Sequence, residues 1–341
     1  MVKIRDYIIK VLNGMAWGLF ASLLIGLIIR QIGVFSGVES IIIFGTFAQR
    51  LMGPAIAVGV GYALGASPLV LVSLVSVGAI GAGTFVMTGD TVSVVTGEPV
   101  GALIAAWAAA EVGNQVSGKT KVDIVLVPFV TIIAGGFVGL VVSPYIVAFM
   151  TALGEVINNA TQLHPFTMGI VISVLMGMIL TLPISSAALA ISLNLSGLAA
   201  GAATVGCAAN MVGFAVASFK ENGWGGLIAQ GLGTSMLQIS NIVKKPIIWL
   251  PVIITSAILG PISTVVLKMT SNALGAGMGT SGLVGQVAMI EVMGATPTVF
   301  LQIAFMHFIL PGILASAIAS SMRKLGWIHS GDMKLPNPSK K

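Results

Sequence analysis

From Val156 to Phe219 the chain runs without a single Asp, Glu, Lys or Arg, and Leu51 to Gly89, Ile124 to Gly154, Pro246 to Leu267 and Val292 to Met322 are equally free of charge. A helix needs about 20 apolar residues to cross the hydrocarbon core, so the longest of these runs hold two passes or more. With no water there to satisfy backbone amides, a crossing segment is a helix or part of a closed barrel. The runs are continuous and lack strand-like alternation, which selects helices. Only 8% of the 341 residues are charged and 56% are apolar, with mean hydropathy +1.05, against about 25% charged in a soluble domain. The expected fold is therefore an all-α, polytopic integral membrane protein.

The first apolar stretch, Met15 to Ile29, follows Lys3, Arg5 and Lys10. No small-residue cleavage site introduces a soluble domain, so it reads as an uncleaved span. VKIRDYIIKVL ahead of it reads as a separate amphipathic helix lying along the membrane surface. Basic residues recur at Lys119, Lys121, Lys220, Lys244, Lys245 and from Arg323 to Lys341, which puts both termini in the cytoplasm. The net charge of +6 needs no nucleic acid to explain it. The one cysteine, Cys207, excludes a disulfide within the chain and reads as a small packing residue.

Spans are expected near 15–30, 41–64, 68–87, 97–116, 124–149, 166–194, 197–219, 246–268 and 298–321, giving about nine to ten transmembrane helices in all. Two intervals, 223–245 and 271–295, are apolar yet crowded with glycine, hydroxyls and amides, and read as broken or re-entrant hairpins. Irregular backbone survives at membrane depth only where protein or a wet cavity satisfies it, and transporters use such breaks to meet a solute. Close helix packing is the other use of glycine. GLGTSMLQISN offers Thr234, Ser235, Gln238 and Asn241, and MGTSGLVGQ repeats the recipe with Thr280, Ser281 and Gln286. These groups donate and accept hydrogen bonds without the cost of burying a charge, which suits a neutral, polyhydroxylated solute better than an inorganic cation.

Other polar residues interrupt the apolar runs. Asp90 and Glu98 stand in the loop TGDTVSVVTGEPVG. Glu98, just ahead of Pro99, either complements the positive end of a helix dipole or touches a solute or gate. His164 precedes a proline and marks an element boundary, as an interfacial group or a solute contact. His307 bonds a neighbouring helix, and Glu291 pairs with a lysine, binds a cation or lies at the interface. No nucleophile-and-base pair and no metal-ligand cluster is visible, so no catalytic residue, metal or cofactor is expected.

MTGDTVSVVTGEPVGALIAAWAAAEVGNQVSGKTKVDIVLVPFVTI resembles the middle of fructose-type enzyme IIC, the membrane component of the sugar phosphotransferase system, and MGIVISVLMGMILTLPISSAALAISL is similar to the segment that follows there. GAATVGCAANMVGFAVASFKENGWGGLIAQGLGTSMLQ, NIVKKPIIWLPVIITSAILGPI and GAGMGTSGLVGQ resemble more closely the stand-alone branch of that family that includes the perfringolysin O regulatory protein. The likeness covers about residues 45 to 290 and adds Asn210 and Gln230 to the candidate solute contacts. It implies an elevator-type fold in a bacterial cell membrane, usually a homodimer. Residues 1–160 would be the scaffold, 161–296 the mobile solute domain, 297–322 a final span and 323–341 a cytoplasmic tail.

Two departures bear on the chemistry. Where the family places an acidic residue in a Gly-Ile-Thr/Ser-Glu-like turn, this chain reads GLGTSMLQ, and no carboxylate stands between Glu221 and Glu291. The fructose-type Gly-Gly-Pro-Val-Asn-Lys segment has become TLPISS, with Ser185 and Ser186 in place of asparagine and lysine. No phosphoryl-carrier domain follows the last span, so phosphorylation-coupled uptake requires separate carrier proteins or does not occur. The resulting expectation is a non-enzymatic transporter of a sugar-like or small neutral polar solute. The alternative is a membrane-embedded sensor that affects gene expression through a partner, since no DNA-binding motif is present.

Overall fold

Pro68, Pro99, Pro165, Pro246 and Pro297 each occupy the first residue of a helix or 3-10 turn. The amide that proline lacks would have no partner there, and its fixed φ suits the helix. The computed structural model describes residues 2–88 and 91–336. Among these, five helices are long and apolar enough to cross a membrane: Asp6–Ser36, Asp123–Thr161, Gly197–Ala217, Pro246–Val266 and Pro297–Lys324. Counting the bent pair Glu39–Arg50 and Met52–Ala63, which turns by 52°, makes six. Shorter apolar helices, among them Pro68–Ala82 and Pro165–Thr181, accompany them. The chain is an all-α polytopic membrane protein.

The expected spans differ from the observed helices for local reasons. The N-terminal segment is no separate surface helix: Val2–Leu19 continues through the π-turn Phe20–Leu24 into Ile25–Ser36. Ile9, Val11, Leu12, Met15 and Leu19 are buried, so its apolar face is covered by protein. The span expected over 68–87 stops at Ala82, because Gly83 turns the chain into left-handed backbone at φ 65. The apolar residues beyond it form a strand, Phe85–Thr88, paired antiparallel with Thr91–Val94. Asp90 lies outside the described residues. The span expected over 166–194 ends at Thr181 and resumes only as the short helix Ser186–Ser192, with Pro183 in the break.

The chain divides into two compact units, with the boundary between Phe149 and Met150 inside the long helix Asp123–Thr161. In the first unit Met52–Ala63, Pro68–Ala82 and Pro99–Val116 pack against one another. Trp107 Nε1 donates to Tyr7 Oη at 2.8 Å, and Tyr7 in turn donates to Glu111.

The second unit is built around Gly197–Ala217, a helix of small residues that is buried along almost its whole length. Its sequence, GLAAGAATVGCAANMVGFAVA, lets Pro165–Thr181, Leu250–Pro261, Ala273–Met278 and Leu310–Lys324 approach it closely. Two apolar clusters flank it. One joins Val205, Ala209, Leu259, Met269, Met289, Val299, Ile303 and Met306. The other joins Phe214, Ile242, Ile248, Val252, Ala315 and Met322 to Ile328 and Met333, which belong to the segment expected as a tail. At 1% and 0% exposure these two side chains anchor residues 325–336 as a strap across the unit. Each such burial contributes about 1.5–3 kcal/mol.

Candidate functional site

Both glycine-rich intervals are broken. Phe219–Ile228 carries a kink at Gly223, gives way to the π-turn Ala229–Gly233 and the 3-10 turn Ser235–Gln238, and recovers as Ile239–Lys244. Ala273–Met278 ends at Gly279, a 3-10 turn covers Ser281–Leu283, and Val284–Met293 follows. The second interval folds back on itself: Gly285 N donates to Gly279 O at 3.0 Å, and Gly275 lies against Ala288. The breaks meet, because Thr280 Oγ1 donates to Gly231 O at 2.6 Å and Ser281 Oγ donates to Gly233 O. These hydroxyls satisfy carbonyls that the irregular backbone leaves without a helical partner.

Beside this crossing lies a buried polar node centred on Asn210, itself 0% exposed. Its Nδ2 donates to Gly206 O and to Ser256 Oγ, each at 3.1 Å. Its Oδ1 accepts from Thr181 Oγ1 and from Trp249 Nε1, each at 3.3 Å. Thr181 Oγ1 and Ser235 Oγ share a hydrogen bond of 2.7 Å, which ties the first broken interval to the node. Sequence reading missed Thr181, Ser256 and Trp249. A hydroxyl in an apolar helix gives little signal because it usually bonds back to its own turn, as Thr181 does to Gly177 O and Ser256 to Val252 O.

A second network takes up the amides. Gln230 Nε2 donates to Ser218 Oγ and Gly226 O, and its Oε1 accepts from Gln238 Nε2 at 2.7 Å. Gln238 Oε1 accepts from Asn241 Nδ2 at 2.7 Å. The ladder ends on the strap, where Gln238 donates to Met333 O and Asn241 to Lys334 O, each at 2.9 Å. Asn222 also holds the strap, donating to Met333 O and accepting from Leu335 N. Gln230, Gln238 and Asn241 thus clamp main chain, while Ser235 faces the node.

The remaining candidates are dispersed. Thr234 caps the 3-10 turn by accepting from Met236 N at 3.1 Å. Ser186 Oγ donates to Gly277 O at 2.6 Å, joining Ser186–Ser192 to Ala273–Met278. Ser185 is half-buried in the turn before that short helix. His164 is exposed at the start of Pro165–Thr181, and Glu98 belongs to the first unit, where its backbone N donates to Ala82 O. Gln286 bonds His307 at 2.8 Å. Cys207 is buried with its Sγ against Met176 O and Ala276 O, a packing role. An open depression of about 660 Å³ lies on the first unit, lined by apolar groups with Trp17, Ser22 and Tyr62, and Ser22 already donates to Ala48 O.

The strap carries its own electrostatics. Lys245 Nζ lies 2.6 Å from Asp332 Oδ2, and His329 N donates to the same oxygen at 2.6 Å. Partial burial pushes the Asp332 carboxyl up, but the hydrogen bonds from Lys245 and His329 outweigh it and hold the carboxyl below its ordinary value. A carboxyl lowered by docking stabilises the docked strap above its undocked pKa, and that stability is lost as pH falls through the docked value. Hydrogen exchange over residues 327–336 is therefore expected to stay slow at neutral pH and to accelerate only below the ordinary aspartate range. Lys245→Met should shrink that acid-dependent step, because the step exists only through the difference between docked and undocked pKa; a step of unchanged size would show that the ion pair does not hold the strap.

A family model described as phosphotransferase system, EIIC matches residues 9–335 of the chain. No curated protein and no solved structure matches it.

Proposed function

Because the chain belongs to the phosphotransferase system EIIC family, and is thus a membrane component of phosphotransferase-type sugar transport, we propose that its second unit holds the sugar where the two broken intervals cross. The observation that carries this reading is the meeting of Thr280 and Ser281 with the carbonyls of Gly231 and Gly233, beside Ser235, Thr181 and Asn210. Every side chain in that set is neutral, and each hydroxyl both donates and accepts. A sugar hydroxyl does the same, so it exchanges for an internal hydrogen bond without stranding a charge. The loss of the family's acidic turn residue is compatible with this, since hydroxyls and an amide take up the recognition.

In this reading the second unit moves against the first in an elevator cycle, the first unit carries a homodimer contact, both termini face the cytoplasm, and separate carrier proteins supply the phosphoryl group. The membership of the stand-alone branch rests on the sequence blocks around Asn210, Thr234 and Thr280. One observation favours the regulatory alternative as a second role. Ser235, bonded to the node, and Gln238, bonded to the strap, share one 3-10 turn, which gives sugar binding at one end a short route to strap docking at the other.

Thermal shift on purified protein across a panel of hexoses, pentoses and polyols tests the proposal. A sugar present at 100 times its Kd stabilises the fold by about 2.7 kcal/mol. Ser281→Ala should weaken that sugar by about 1–3 kcal/mol, and because it also strands the Gly233 carbonyl it should lower the sugar-free melting temperature, so affinity is compared where both proteins are folded. Stabilisation by charged solutes alone, with no response to any sugar, would refute the assignment.

A further inference from the structure

Gln286 stands in the first turn of Val284–Met293, the helix that leaves the tip of the second broken interval. His307 lies in the π-turn Ala304–Ile309 of the last long helix. They are 6% and 0% exposed. Gln286 Nε2 and His307 Nδ1 are 2.8 Å apart, while Gln286 Oε1 and His307 Nε2 are buried with no hydrogen-bond partner among the described residues.

The chemistry of the pair does not depend on how its hydrogens are assigned. If the amide N–H donates to Nδ1, the ring carries its proton on Nε2, leaving that N–H as a donor and Oε1 as an acceptor. If the amide is turned over and Nδ1–H donates to the oxygen, the amide N–H is left as donor and Nε2 as acceptor. Either way the pair presents one donor and one acceptor, both buried and both unsatisfied. Buried polar groups are ordinarily paired because leaving them unpaired is costly, so an exception calls for an explanation, of which a bound molecule completing the bonding is one. A π-turn at the same residue strengthens the case, since such turns recur at functional sites.

We infer that Gln286 and His307 form a further subsite of the transported solute, one that takes hydroxyl groups of a polyol through one donated and one accepted hydrogen bond. The inference rests on the sugar reading and adds a specificity-determining pair to it. A neutral donor–acceptor pair fits alcohol oxygens and offers nothing to a phosphate or carboxylate beyond a single N–H. An internal water has the same chemistry, and the test separates the two.

The probes are the sugar that most stabilises the wild-type protein and its set of monodeoxy analogues, with dissociation constants measured in detergent. For the wild type, loss of one particular hydroxyl should weaken binding about tenfold. His307→Phe and Gln286→Leu should each weaken the parent sugar about tenfold and bind that deoxy analogue as well as the parent. His307→Gln, which keeps a donor and an acceptor, should retain part of the discrimination and covers the case in which the phenylalanine variant fails to fold. If all variants that fold still discriminate every analogue as the wild type does, the pair holds only water or packing and the subsite is wrong. If the wild type binds no sugar at all, the sugar reading itself fails and takes the subsite with it.

Discussion

Gly206→Val is expected to abolish accumulation of folded protein. A Cβ at Gly206 would fall inside the van der Waals envelope of the carbonyl carbon, oxygen and Cα of Ser173. All three are backbone atoms of the neighbouring helix Pro165–Thr181, so no rotamer change relieves the clash. Overpacking against movable side chains costs about 1–3 kcal/mol, and a backbone neighbour sets the cost above that range. The same glycine's carbonyl accepts from Asn210 and Ser256, so forcing the helices apart also unpairs the polar node. Gly225→Ala is the control, because a Cβ there meets nothing within 4 Å. Detergent size-exclusion profiles should show a monodisperse peak for Gly225→Ala and aggregate or nothing for Gly206→Val. A monodisperse, normally melting Gly206→Val protein would mean that the helices are not in this contact.

The second large effect is expected at Arg323. Its Nη2 donates to Ala217 O at 2.9 Å and to Glu221 Oε1 at 3.1 Å, while Glu221 Oε2 accepts from Met333 N at 2.9 Å. The Glu221 side chain is only 6% exposed, so Arg323→Ala leaves a nearly buried carboxylate without its counter-ion. Breaking a fully buried pair in this way costs about 3–5 kcal/mol. Arg323 is 26% exposed, and water reaching the site lowers the expected cost to about 2–3 kcal/mol. The strap should become protease-sensitive near residue 331 at a pH where the wild type is resistant. Pairing Arg323→Met with Glu221→Gln should restore much of the loss, because the cost lies in the orphaned charge. A single variant as resistant as the wild type would show that the Arg323–Glu221 pair does not hold the strap.

What could be read from residues, and what could not, follows from how local the signal is. The membrane class follows from charge-free length alone. The two breaks were legible because glycine with Thr, Ser and Gln inside an apolar run, as in GLGTSMLQ and MGTSGLVGQ, is costly unless the chain bends and finds partners. The partners themselves were not legible. Asn241 meets Lys334 O and Gln238 meets Met333 O across more than ninety residues, and HSGDMKLP by itself has the composition of a solvated tail. The strand Phe85–Thr88 was hidden for the opposite reason: Phe85 and Val86 extend an apolar run, and only the left-handed turn at Gly83 removes them from it. His307 was read as bonding a neighbouring helix, which it does, but the free nitrogen on its far side has no counterpart in sequence pattern.

The most direct measurement of the account is sugar counterflow in vesicles reconstituted with purified protein and preloaded with the sugar that best stabilises it. Saturable exchange of labelled sugar is predicted, with Ser281→Ala raising the half-saturating concentration about 5- to 150-fold and leaving vesicle incorporation intact. Binding of that sugar without any counterflow, with or without added phosphoryl carriers, would contradict transport and leave the chain a sensor.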